Sequence, residues 1–74
     1  MGEMNILDTT GDTKVIWDPE NDDEVEAARD QFDTLIEKGF SAFQVKKNGE
    51  KGREIKRFNP EAGKIIMVPV VVGG

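Results

Sequence analysis

Residues 21–39 read NDDEVEAARDQFDTLIEKG, and the periodicity of this stretch decides how the rest of the chain must be arranged. Val25, Ala28, Phe32, Leu35 and Ile36 recur at the three- and four-residue spacings that line one face of an α-helix, while Glu26, Arg29, Asp30, Asp33 and Glu37 fall elsewhere around it. The spacing predicts a helix over Asp22–Lys38 with one buried face. Asn21 or Asp22 can cap its first turn, and Glu24, three residues after Asn21, suits a capping box. The acids around it favour the positive end of the helix dipole, and Lys38 with Gly39 supplies the stop. A helix with one apolar face must be covered, and the flanking residues read as strands that cover it.

Lys14-Val15-Ile16-Trp17 is rich in β-branched and aromatic residues and lies between the Gly11-Asp12 and Asp18-Pro19 turns, so it reads as a strand. A shorter strand at Asn5-Ile6-Leu7 would pair with it as a hairpin across Thr9 to Asp12; the alternative is a flexible arm over residues 1–9. After the helix, residues Phe40 to Lys47 alternate with period two, which assigns Phe43 and Val45 to the core face. Asn48-Gly49, with Gly52 close behind, signals a hairpin into Arg53–Phe58. A turn over residues 59–63 leads to the apolar strand Lys64–Val68. Pro69 cannot donate to a sheet ladder, so the strand either ends near Val68 or lies at an edge, and either arrangement frees the residues that follow. The expected core is Val15, Trp17, Val25, Phe32, Leu35, Phe43, Val45 and Ile55, with alternate residues of 65–68. Trp17, on a strand of so short a chain, reads as a core anchor.

Seventy-four residues suit one domain over residues 1–69 followed by an extended tail over 70–74. The absence of cysteine excludes disulfides and thiolate metal sites, and no apolar run approaches the length of a membrane span. A soluble, cytoplasmic protein without membrane contact is expected. The net charge of −5 conceals a strong division: residues 1–37 balance at −10 and residues 38–74 at +5. Such a split either steers a partner or draws the two halves together across the fold.

Histidine, cysteine and tyrosine are all missing, which removes the usual general base near neutral pH, the thiolate nucleophile and the phenolic acid. An independent enzyme is not expected, and no cofactor is implied. The acidic run from Asp18 to Glu24 offers oxygen ligands at alternate positions, but a calcium loop starting at Asp18 would need glycine at Asp23 and glutamate at Arg29. Helix capping accounts for those acids, and no metal site is assigned. The candidate partner-binding residues are Lys46, Lys47, Arg53, Lys56 and Arg57, on two strands and their turn with Phe40, Phe43 and Phe58 near. Glu50 and Glu54 interrupt this run, and a pI near 4.6 opposes non-specific nucleic-acid affinity.

The sequence closes on Val70-Val71-Val72-Gly73-Gly74, and two residues without Cβ atoms can thread a narrow channel and present a carboxylate to another protein's active site. The order of elements, the size, and Gly73-Gly74 after the last apolar strand give the chain an architecture that resembles the ubiquitin-like β-grasp family. The resemblance rests on no stretch of matching sequence. It implies one helix packed on a four- or five-stranded mixed sheet, an α+β fold. It also implies that an ATP-dependent adenylating enzyme activates the Gly74 carboxylate, which then passes to target-protein lysines, as in a modifier, or becomes a thiocarboxylate, as in a sulfur carrier. The tail departs from ubiquitin-type tails, which carry basic and leucine residues where this chain has Pro69 and three valines, and the helix is longer. The alternatives are a different α+β sandwich whose glycines are only an end, and a small adaptor that binds protein or nucleic acid through the basic hairpin.

Overall fold

The computed structural model describes residues 1–46 and 52–69. Within them one helix packs on a five-stranded mixed sheet, the α+β architecture expected. The strands are β1 (Gly2–Asp8), β2 (Gly11–Trp17), β3 (Phe40–Gln44), β4 (Glu54–Ile55) and β5 (Lys64–Pro69), and the helix α1 spans Asp22–Glu37 between β2 and β3. The order across the sheet is β2-β1-β5-β3-β4. β1 and β5 run parallel at its centre, with Met4 beside Ile65 and Ile6 beside Met67, and every other pairing is antiparallel. This arrangement is compatible with a β-grasp-like fold.

Local chemistry sets each boundary. Asp8 pairs with Gly11 across a two-residue loop, Thr9-Thr10, and Asp8 Oδ1 accepts from the Thr9 amide at 2.6 Å. Gly11 takes φ +132°, a value that penalises any residue with a Cβ. The loop is therefore shorter than the Thr9–Asp12 turn expected, and residues 2–8 are a full strand, not an arm. At the head of α1, Asn21 Oδ1 accepts from the Glu24 amide at 3.2 Å, and the Asn21 side-chain Nδ2 donates to Glu24 Oε2 at 3.1 Å, while the Asn21 backbone N–H donates to the Asp18 carbonyl at 2.9 Å. Glu24 Oε1 reaches further back, accepting from the Asp18 amide at 2.9 Å, so the box ties the end of β2 to the helix start. At the other end Lys38 is the cap and Gly39, at φ +98°, turns the chain into β3.

The core lies between α1 and one sheet face. Met4, Ile6, Trp17, Ala28, Phe32, Leu35, Ala42, Ala62, Ile65 and Met67 are buried, and Val15, Val25, Ile36, Phe40, Ile55 and Phe58 pack around them. Phe43 and Val45 do not face this core, contrary to the sequence expectation. Alternation makes Ala42 the inward residue of β3, and its small side chain suits a strand that the helix crosses closely. β4 is also shorter than the Arg53–Phe58 expected. Past Ile55 the chain leaves the ladder so that Phe58 can set its ring edge-on to Trp17 (centroids 4.9 Å apart) and Phe32 (5.8 Å). The next turn brings the Pro60 carbonyl to accept from Trp17 Nε1 at 2.9 Å, satisfying the polar atom of a fully buried indole. β5 lies at the centre of the sheet, so the edge placement considered for Pro69 does not hold. Proline ends the strand opposite Phe40, two residues past the last pairing with β1, where it interrupts no interior rung.

Candidate functional site

Gly73 and Gly74, the expected conjugation residues, lie outside the described residues, as do Val70 to Val72. The described strand that precedes them is held on both sides. β5 pairs with β1 over Lys64 to Met67 and with β3 over Ile65 to Pro69, and Ile65 and Met67 are fully buried. Both faces of this strand are apolar, since Ile66 and Val68 alternate with the buried pair, as a central strand requires. Pro69 thus sits at the end of a strand paired on both sides, beside Phe40, the residue after the helix stop at Gly39.

The basic candidates lie toward the β4 edge of the sheet. Lys46, Arg53, Lys56 and Arg57 are exposed, and Lys47 lies outside the described residues together with the Asn48-Gly49 turn. The Gln44 amide donates to the Arg53 carbonyl at 3.0 Å, which carries the pairing of β3 and β4 one residue past the strand. Gly52 has no room for a side chain, since a Cβ there would collide with the Gln44 carbonyl oxygen. A hollow lined by Gln44, Val45, Lys46, Gly52 and Arg53 opens beside this contact, and a shallower one runs along Arg53 to Asn59. Lys56 approaches Glu54 Oε2 at 3.5 Å. Three of the five expected cations, Arg53, Lys56 and Arg57, are therefore grouped along β4 and its exit, and Lys46 leaves the neighbouring strand.

Charge stays separated. Among the described residues the ion pairs are Lys14 with Glu3 at 3.7 Å and Lys56 with Glu54, and neither joins an acid of α1 to a base of the second half. The acidic run ahead of the helix makes caps and turns: Asp18 Oδ1 accepts from the Glu20 amide at 2.9 Å, and Asn21 and Glu24 bind each other. Among the described residues no group of acids is arranged to hold a metal ion, and no helix is long and apolar enough to cross a membrane.

Sequence reasoning did not identify the sheet face turned away from α1. Alternation places Asp12, Lys14 and Ile16, Glu3, Asn5 and Leu7, Lys64, Ile66 and Val68, Ser41, Phe43 and Val45 on it. Leu7 and Ile16 are exposed at 37% and 56%. The signal was present in residues 65–68, where four consecutive apolar side chains must place two on each face. No protein-family model, curated protein or solved structure matches this chain.

Proposed function

We propose that this protein is a non-catalytic, ubiquitin-like modifier or sulfur carrier, whose Gly74 carboxylate other enzymes activate. The observation that carries the reading is the position of β5. The last strand is the central one, locked between a parallel and an antiparallel neighbour, and its sequence leads through three residues to Gly73-Gly74. A firmly held body followed by residues without side chains suits a substrate whose end must enter another protein's channel. A carboxylate set against the α-phosphate of ATP reacts by becoming an acyl adenylate with release of pyrophosphate, and close approach of the backbone is what glycine permits. The chain itself then contributes recognition and an unhindered acyl group.

The experiment incubates the purified protein with ATP, magnesium and a lysate of its source and reads the products by mass spectrometry. Gly74 joined to a lysine amine supports the modifier arm, and a mass gain from replacement of carboxylate oxygen by sulfur supports the carrier arm. The intact mass of the protein from its source must also end at Gly74. If neither product forms with any lysate fraction, the reading is wrong.

The grouping of Arg53, Lys56 and Arg57 beside Lys46 favours a second reading, an adaptor that binds an anionic partner along β4. Its affinity for single-stranded nucleic acid would fall steeply with salt, and replacing Lys46, Arg53 and Lys56 by alanine would flatten the slope by about one unit for each phosphate no longer neutralised. No binding at low salt removes this reading.

A further inference from the structure

The chain carries a net charge of −5, yet the hollow along Arg53 to Asn59 at the β4 edge is bordered by Arg53, Lys56 and Arg57 with a single acid, Glu54. Three bases against one acid leave a local charge of +2. Lys56 lies 3.5 Å from Glu54 Oε2, so these two offset each other, while the guanidiniums of Arg53 and Arg57 form no ion pair among the described residues. We infer that this hollow binds a phosphate monoester, the dianionic group of a phosphorylated side chain or of a small phosphorylated molecule.

The neighbours of the two arginines hold them in place. Ile55 and Phe58 pack on the core, and Phe58 is set edge-on to Trp17 and Phe32, so the segment that bears both guanidiniums is anchored from below. The Arg53 carbonyl also accepts from the Gln44 amide at 3.0 Å. Gln44 and Asn59 bring side-chain amides to the same hollow. Asn59 Oδ1 already accepts from the Glu61 amide at 3.0 Å, which leaves Nδ2 as the group to donate.

Donor geometry and charge select the ligand. Each guanidinium is a planar fork that holds two oxygens at once. A carboxylate has two oxygens and one charge, enough for a single fork, whereas a phosphate monoester has three terminal oxygens and a charge of about −1.5 to −2 at neutral pH. It matches both forks. A polyanion extends beyond the hollow and meets the repulsion of the acidic chain, while a single dianion is small against a screening length of about 8 Å and senses chiefly the local charge.

The backbone offers a place for a peptide carrier. Because the Gln44 amide donates to the Arg53 carbonyl, Phe43 and Glu54 are a non-hydrogen-bonded pair, and Glu54 turns its N–H and C=O away from β3 toward the open edge. An extended segment alongside can bond to both groups while its phosphorylated side chain enters the hollow. The inference narrows the anionic-partner reading of β4 to one chemistry and is independent of Gly73-Gly74.

A two-dimensional amide NMR titration of the full chain at low salt tests it, with a short Gly-Ser peptide carrying one phosphoserine, the same peptide with glutamate in that place, phenyl phosphate, and oligothymidylate as probes. The phosphopeptide should bind with Kd on the order of 1 mM or tighter and shift the amides of Gln44 and residues 53–59, and the glutamate peptide should bind at least about tenfold more weakly. Arg53→Lys and Arg57→Lys keep the charge and remove the fork, so each should weaken the phosphopeptide at least about fivefold with the rest of the spectrum unchanged. Tighter binding of the phosphopeptide than of phenyl phosphate assigns the ligand to a phosphorylated partner chain; equal or weaker binding assigns it to a small phosphate monoester. Oligothymidylate binding without phosphopeptide or phenyl phosphate binding overturns the inference and leaves the broader anionic-partner reading standing, whereas no binding by any probe up to about 10 mM overturns both. Lysine variants that bind like the wild type, or shifts confined to other parts of the chain, overturn the inference as well.

Discussion

Ala42 is the residue at which the packing of helix against sheet is decided. It is fully buried on β3 under α1, while its neighbour Phe43 faces the other way. Enlarging a buried alanine forces the helix outward, so Ala42→Leu should cost about 1–3 kcal/mol in urea denaturation, whereas Phe43→Leu should cost less than about 1.5 kcal/mol. The reverse ranking would mean that β3 presents its other face to the core. Phe32, fully buried and edge-on to Phe58, belongs to the same core, and Phe32→Ala should cost about 3–5 kcal/mol, near the whole stability of so small a domain. Near-complete loss of the folded signal is expected, and a well-folded variant would contradict the assigned face. The orientation of β3 was not legible because alternation gives two parities and says nothing of which is inward. Size favoured Phe43 and Val45, but the inward parity of β3 is the one that carries the fully buried Ala42, with Phe40 packed against the core beside it. The buried face of α1 was legible in full, since Val25, Ala28, Phe32, Leu35 and Ile36 sit at spacings that no strand reproduces.

Elements differ in how clearly the sequence announces them, and capping chemistry explains much of the difference. Asn21 caps the Glu24 amide as the spacing implies, and Glu24 answers through the Asn21 side chain and the Asp18 amide, since the Asn21 backbone N–H is bonded to the Asp18 carbonyl. Asn21→Ala should therefore lower stability by about 1 kcal/mol, and Glu24→Ala should do likewise through the chain entry at Asp18, both read from the urea midpoint. An unchanged midpoint in both would mean that the helix start is held by tertiary packing alone. β1 was only partly legible because Met4, Asn5 and Glu3 are indifferent strand formers, although Met4 and Ile6 alternate correctly with them. β4 was overread for a tertiary reason. The aromatic cluster with Trp17 and Phe32 draws Phe58 out of the ladder, and no local pattern encodes that demand.

At the scale of the whole molecule, two separations stand out. Acids gather on α1 and the residues before it, bases gather along β4 and its exit, and no ion pair among the described residues joins the helix to that edge. The uneven charge along the sequence is thus also uneven in space, a dipolar surface able to orient an approaching partner. The second is one of sequence alone: three residues stand between β5, at the centre of the sheet, and Gly73-Gly74. The strand order was not read from the sequence, which left the last strand ending near Val68 or lying at an edge, and the apolar character of the sheet face turned away from α1 emerges only once β5 is placed at the centre. Adenylation of Gly74 is the step that the modifier and carrier arms share, so it tests the proposed function most directly. The measurement is ATP–pyrophosphate exchange in fractionated lysate of the source, with the intact chain and with a chain lacking Gly73 and Gly74. Exchange that rises with the intact chain and stays at background with the shortened one is the predicted result; equal exchange with both, or none with either, would contradict it.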